Sequence, residues 1–275
     1  MTPEIYHSFR QISREDWQTL APPTFPFVSY DFLYALESTG CLGKRTGWLP
    51  VILILGKDEA ALVAFIKNNS YGEYIFDFAW AQAHESHGLQ YYPKMVSAIP
   101  FTPATGPKLL FAERLSEEER AAAAKSLLST LATVAQKADA SSEHFLFIPE
   151  KQIPYFVDNG YFLRHSFQFH WRNADYKSFN DFTATMKGKR RREINRERSQ
   201  VSSAGLKIER LTGDCLNPEH GEIMYQFYLS TIDKMSGMNY LTADFFREIF
   251  KSMKNNIMLV LATNADNMPV AGALN

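Results

Sequence analysis

LPVILILGKDEAALVAFIKNNSYGEYIFDFAW, residues 49–80, holds three apolar runs parted by two polar links. The runs at 50–55, 61–67 and 72–80 read as strands, and the links, rich in Gly, Asp, Asn and Ser, predict an antiparallel meander. The central runs are apolar at almost every position, which requires burial on both faces and so helices covering the sheet. Such helices are encoded on either side. SREDWQTLA (13–21) opens with Ser13 as a cap and places Asp16 near the positive helix end. SYDFLYALESTG (29–40) has Ser29 as its cap and Gly40 as its stop. LSEEERAAAAKSLLSTLATVAQKADA (115–140) combines a Ser116 cap and an acidic first turn with Leu127, Leu128, Leu131 and Val134 at helical spacing. Beyond it, HFLFIP (144–149) predicts a strand, EKQIPYFVDNG (150–160) a short helix ended by Gly160, and YFLRHSFQFHW (161–171) a further strand.

The second half repeats this opening. VILIL GKDEAA LVAFI (51–66) and MLVLA TNADNM PVAGA (258–273) share one hairpin arrangement, about 207 residues apart. Each follows a helix carrying Asp-Phe, Asp31-Phe32 in one and Asp244-Phe245 in the other. The expectation is a tandem duplication: a first domain over 1–176, then a linker helix and the start of a second domain over 177–275. The first copy continues after its hairpin for roughly a hundred residues, whereas the second stops at Asn275, so the second copy is expected to be incomplete.

Composition bounds the function. The chain has 275 residues, 45% hydrophobic and 21% charged, the usage of a globular protein with a sizeable core. Lys plus Arg number 29 against 30 Asp plus Glu, so no global field draws the chain to DNA or to an anionic membrane. Cys41 and Cys215 are too far apart in sequence for a metal spacing or a disulfide framework, which points to a reducing compartment. The N-terminus MTPEIYHSFRQ lacks a signal-peptide pattern and no apolar run is long enough to span a bilayer, so a soluble cytoplasmic protein is expected. No Gly-x-Ser-x-Gly elbow, P-loop or dinucleotide fingerprint occurs, which removes support for hydrolase, kinase and dehydrogenase classes.

Two stretches carry chemistry. In MKGKRRREINRERSQV (186–201), seven Lys or Arg side chains fall between Met186 and Arg198. Phe179, Phe182, Met186, Ile194 and Val201 fall at helical spacing, with Gly188 as the point of a break. Lys189, Arg190, Arg191 and Arg192 read either as a phosphate clamp at a helix start or as the solvated face of a linker helix. No aromatic residue interleaves the basic ones for base stacking. The second stretch is 68–111. As a strand, 72–80 would put Glu73 and Asp77 on one face, about 13 Å apart, each able to act alone as a general base or to sit as a strand-edge carboxylate. Tyr91, Tyr92 and Lys94 can donate hydrogen bonds into a cleft, and PFTPATGPK (100–108), with Thr102 and Thr105, is a rigid loop suited to presenting backbone amides. His84 and His87 lack further ligands at a metal spacing, so no metal is expected.

Eight blocks, TGWLPVILIL (46–55), SYGEYIFDFAWAQAHESHGLQYYPK (70–94), PFTPATGPKLL (100–110), KRRREINRER (189–198), GLKIERLTG (205–213), YQFYLSTIDK (225–234), YLTADFFREIF (240–250) and PVAGALN (269–275), together resemble the FemAB-like branch of the GNAT acyltransferase superfamily, proteins of peptidoglycan biosynthesis or recognition. The resemblance implies an α+β fold with α/β/α layers: two tandem GNAT-like domains, each a mixed, largely antiparallel sheet flanked by helices. It also implies acyl or aminoacyl transfer to an amine, with acetyl coenzyme A or an aminoacyl-tRNA as donor and a small molecule or cell-wall precursor as acceptor. Under it, Asp77 or Glu73 is the base, Tyr92 or Lys94 the oxyanion donor, and Lys189 to Arg192 the phosphate clamp. The family pattern continues past PVAGALN, and AWAQAHESHG (79–88) stands where GNAT domains carry a glycine-rich pyrophosphate loop. A non-catalytic recognition module for a cell-wall precursor or peptide is therefore the alternative expectation.

Overall fold

The computed structural model describes residues 2–235 and 237–275. The chain begins with β1 (Glu4–Tyr6), α1 (Arg14–Gln18), α2 (Tyr30–Ser38), β2 (Leu49–Leu55) and β3 (Ala60–Lys67). It continues through α3 (Phe78–Ser86), β4 (Lys94–Ser97), β5 (Leu109–Phe111), α4 (Glu117–Lys137), β6 (Glu143–Phe145) and α5 (Ile153–Val157). Then come α6 (Phe179–Ala184), α7 (Gly188–Ser203), β7 (Lys207–Thr212), α8 (Pro218–Met235), α9 (Ala243–Ser252), β8 (Met258–Thr263) and β9 (Pro269–Leu274).

Two compact units result. The first comprises Met1–Leu163 with Asn217–Asn256, the second Arg164–Leu216 with Ile257–Asn275. This division differs from the expected 1–176 and 177–275, because α8 and α9 fold with the first unit. The apolar stripe of α9, Phe245, Phe246, Ile249 and Phe250, is buried. Phe245 meets Phe32 of α2 edge-on at 6.0 Å. Thr242 Oγ1 donates to Thr39 O (3.1 Å), and Arg45 donates to Tyr240 O (2.8 Å).

The first unit holds a mixed sheet in the order β1-β2-β3-β4-β6, with β5 also paired to β3. All pairs are antiparallel except β4 with β6. Serine caps start the helices as their sequences require: Asp16 N–H donates to Ser13 Oγ (3.3 Å), Phe32 N–H to Ser29 Oγ (3.3 Å), and Ser116 and Glu119 form a reciprocal capping box. One face of the sheet, Val51, Leu53, Leu62 and Ala64, packs against Leu127, Leu128 and Leu131 of α4. Each fully buried leucine contributes roughly 1.5–3 kcal/mol. The opposite face is buried too, at Ile52, Ala61 and Phe65, which explains runs that are apolar at every position.

The expected strand at 72–80 is not formed. Gly72 (φ +77°) and Tyr74 (φ +61°) take left-handed conformations that break an extended chain, and α3 begins at Phe78. A Cβ on Gly72 would lie 2.7 Å from the Phe101 ring. The place beside β3 is taken by β4. Nor does 161–171 join a sheet: after Gly160 (φ +88°) the Tyr161 ring packs on Phe145 and its hydroxyl donates to Glu143 Oε2 (2.6 Å). Side-chain anchoring thus stands where a ladder was expected, and Phe162 and Phe169 are 99% and 93% exposed.

The second unit carries the antiparallel sheet β7-β8-β9 with α6 and α7. The helical break falls between Ala184 and Gly188. The expected apolar stripe is not buried: α7 has no buried residue, and Phe179 instead lies 4.1 Å beneath the Arg198 guanidinium. One order, a strand, two helices and a hairpin whose first strand pairs antiparallel with the leading strand, occurs in β1-α1-α2-β2-β3 and again in β7-α8-α9-β8-β9.

Gly221 lets α8 approach α9, since a Cβ there would lie 2.8 Å from Phe246 O. A main-chain neighbour cannot swing aside, so Gly221→Ala should destabilise the first unit by roughly 1–3 kcal/mol. Urea denaturation reads this as a lowered midpoint at unchanged slope, and an unmoved midpoint would refute so close a packing.

Candidate functional site

Strand register places the site. In the β3–β4 ladder Lys67 lies directly opposite Lys94, and in the β4–β6 ladder Val96 lies opposite His144. Side chains alternate along each strand, so Lys67, Lys94 and His144 share the sheet face away from α4. Two like charges directly opposite each other repel, more so in a buried site. Both lysines are 0% exposed, and two nearly buried carboxylates, Glu73 (2%) and Asp77 (4%), answer them.

Lys94 Nζ donates to Glu73 Oε2 (2.8 Å), to Ser70 Oγ (2.8 Å) and, by a short contact, to Asp77 Oδ2. Lys67 Nζ donates to Tyr71 O (3.0 Å), lies 3.7 Å from Glu73 Oε1, and sits 3.7 Å over the Trp48 ring. Tyr92 hydroxyl and Ser70 Oγ are 2.8 Å apart. Tyr91 hydroxyl donates to Asp77 Oδ2 (2.6 Å) and lies 3.5 Å from His144 Nε2, which is also 2.8 Å from Ser142 Oγ. The structure thus gathers Glu73, Asp77, Tyr92 and Lys94 into one network. It overturns the expected separation of the two carboxylates along a strand, because both turn inward onto one ammonium. Asp77 Oδ1 is buried without a hydrogen-bond partner among the described residues.

Environment splits the two carboxyls. Burial raises Glu73 above the ordinary carboxylate range, against the pull of Lys94 and Lys67. Burial acts the same way on Asp77, but hydrogen bonds from Lys94, Ser70 and Tyr91 outweigh it and hold Asp77 below the usual range. Burial lowers Lys67, only partly offset by Glu73, and raises Tyr91, helped by its hydrogen bond to Asp77. Two carboxyls whose affinities for a proton are pushed apart form the usual arrangement for acid and base roles. Asp77 therefore gives up its proton more readily than an ordinary carboxyl, and Glu73 holds its proton more strongly.

Lys67, Ser70 and His144 were not singled out in the sequence. Lys67 closes an apolar strand and reads as its solvated end; only the register with β4 reveals its partners.

The loop at 100–108 behaves otherwise. The amides of Phe101, Thr102, Ala104 and Gly106 donate to Gly72 O, Ile99 O, Thr102 O and Phe147 O, so they are not offered to a ligand. Thr102 Oγ1 donates to Pro100 O (3.2 Å), and Thr105 is exposed. The basic residues Lys189, Arg190, Arg191 and Arg192 belong to the second unit, exposed at the first turn of α7, with Arg190 paired to Glu193 (2.8 Å). That turn contains no acidic residue, so four cations crowd the positive end of a helix, an arrangement that an anion relieves. His84 and His87 turn Nδ1 to carbonyls of their own helix, Trp80 O (2.9 Å) and Ala83 O (2.8 Å).

A family model described as peptidoglycan biosynthesis/recognition, FemAB-like, matches residues 8–275. The chain belongs to the FemAB-like family. Membership gives it a peptidoglycan-related role. Neither the curated proteins nor the solved structures contain a match. No described helix is long and apolar enough to cross a membrane.

Lys108 offers a test of burial in the loop. Among the described residues its Nζ donates only to Gly106 O (2.7 Å) and Phe147 O (3.3 Å), and burial lowers its pKa from 10.5 to about 7. Between these values the unfolded chain holds the extra proton, so stability rises with pH across that window. Lys108→Met should remove this component, flattening the stability profile between about pH 7 and pH 10 by on the order of a few kcal/mol. Urea titrations across that range check it; an equal rise in both proteins would contradict it.

Proposed function

We propose that this FemAB-like chain serves N-acyl or aminoacyl transfer to an amine of a cell-wall precursor, with its first unit handling the acceptor. The observation that carries the reading is the connected path Tyr92–Ser70–Lys94–Glu73, which joins a half-buried hydroxyl to a buried carboxyl of raised proton affinity. An ammonium acceptor must lose a proton before its nitrogen attacks the acyl carbonyl. Lys94 first gives a proton to Glu73; the neutral amine so formed takes one from Ser70, Ser70 takes one from Tyr92, and Tyr92 takes the proton of the acceptor ammonium. The nitrogen lone pair then forms the new C–N bond, and collapse of the oxyanion expels the donor's thiolate or ribose oxygen, which takes up the second proton that the nitrogen must lose to become an amide.

The donor is acetyl coenzyme A or an aminoacyl-tRNA. Both carry phosphates of the kind that the Lys189 to Arg192 cluster suits. The repeated order of strand, two helices and hairpin supports a tandem, GNAT-like duplication behind the two halves.

A non-catalytic recognition module is the second reading. Tyr71, Phe76, Phe78 and Trp80 are 46%, 65%, 46% and 53% exposed beside the buried network, and so many exposed rings in one segment mark an interaction surface.

Labelled acetyl coenzyme A or charged tRNA, offered with a nucleotide-linked wall precursor, tests the reading. Transfer is expected, and Glu73→Gln should slow it by on the order of a hundredfold or more with precursor affinity nearly unchanged. Precursor binding with no transfer from either donor would favour the recognition reading.

A further inference from the structure

A cavity in the first unit, of about 480 Å³, shares no lining residue with the lysine–carboxylate network. Its floor is the outer edge of β5. Leu110 lies opposite Ala61, and Ala112 N–H donates to Glu59 O (2.8 Å), so Leu110 and Ala112 turn their main-chain groups toward β3. Leu109 and Phe111 therefore turn theirs outward. At Leu109 this edge is paired by a side chain: the Gln152 carboxamide accepts from Lys108 N–H (2.9 Å) and Leu109 N–H (3.3 Å) and donates to Leu109 O. Gln152 thus does for Leu109 what a neighbouring strand would do. Two residues on, the Phe111 N–H and C=O have no partner among the described residues, and Phe111 lines the cavity.

An edge with free main-chain groups is a template for an extended chain. The walls indicate which kind. Pro22, Pro23 and Leu20 are apolar, while Arg120 and Lys151 bring positive charge to the same cavity. Arg120 Nη2 donates to Glu113 O (3.3 Å), but its buried Nε has no acceptor among the described residues. A guanidinium with unused donors is a fork for a carboxylate. Two carboxylates, Glu113 and Glu117, line the same cavity; Glu117 accepts from the Tyr155 hydroxyl, and neither forms an ion pair with Arg120 among the described residues.

We propose that this cleft binds a short extended peptide bearing a free C-terminal carboxylate. One amide of the peptide pairs with Phe111, continuing the row that Gln152 begins at Leu109, and the terminal carboxylate is held by Arg120 and Lys151. The site is separate from the Lys94 network and stands independently of the transfer reading.

The probe is alanyl-alanyl-alanine, titrated calorimetrically against the chain alongside the same tripeptide with a C-terminal amide. The free acid should bind, and amidation or Arg120→Gln should each weaken binding by about tenfold or more. Lys151 is exposed, so Lys151→Glu leaves the fold intact and should also weaken binding several-fold, whatever Arg120→Gln does to folding. Hydrogen exchange at the Phe111 amide should slow when the tripeptide binds. Absence of binding at millimolar tripeptide, equal affinity for acid and amide, or a Phe111 amide whose exchange does not change would each overturn the proposal.

Discussion

Two lysines facing each other across a buried ladder set the terms for the first unit. Lys67 and Lys94 occupy directly opposed positions on β3 and β4, both without solvent contact. An uncompensated pair of buried ammonium groups would be untenable. The segment between the two strands supplies the compensation, because Glu73 and Asp77 both reach Lys94 and Glu73 also approaches Lys67. To turn both carboxylates inward, the chain departs from extended geometry at Gly72 and Tyr74, and the intervening rings are left facing solvent. The break in the meander and the exposed aromatic segment are thus two results of one electrostatic constraint.

The same constraint gives the network its chemical asymmetry. Asp77 is held as an anion by three donors, whereas Glu73 is dominated by burial. A fixed negative charge beside a carboxyl able to exchange a proton is a more useful pair than two identical carboxylates. Tyr92 and Ser70 extend this pair toward the surface, and Tyr91 and His144 extend it along the sheet. The proton path proposed for transfer needs the network to be rigid and water-poor. Its burial against Trp48 and the sheet provides this.

Local signals carried much of the architecture. The hairpins at 49–67 and 258–274, the Ser13, Ser29 and Ser116 caps and the buried stripe of α4 follow from short-range pattern alone. The elements that departed from the pattern depend on distant partners. Residues 72–80 alternate like a strand, yet the identity of what Glu73 and Asp77 face is fixed by Lys94, about twenty positions away. Phe167, Phe169 and Trp171 alternate as well, but alternation makes a strand only where a ladder is on offer. In the site, Glu73, Asp77, Tyr92 and Lys94 were legible by residue type and proximity in sequence. Lys67 and His144 were not, because their shared face is a product of register. The α9 stripe was evident, but not that it packs on α2, since an apolar face does not name its partner.

The central claim is that Lys94 and Asp77 form a mutually dependent buried pair. A double-mutant cycle of Lys94→Met and Asp77→Asn, read by urea denaturation, tests it most directly. The account predicts that the double variant loses less stability than the sum of the single losses, by about 2 kcal/mol or more, because Lys94→Met leaves Asp77 buried without its cation and Asp77→Asn leaves Lys94 with Glu73 as its one close carboxylate among the described residues. Losses that add to within about 0.5 kcal/mol would contradict it, and would mean that the two groups do not depend on each other.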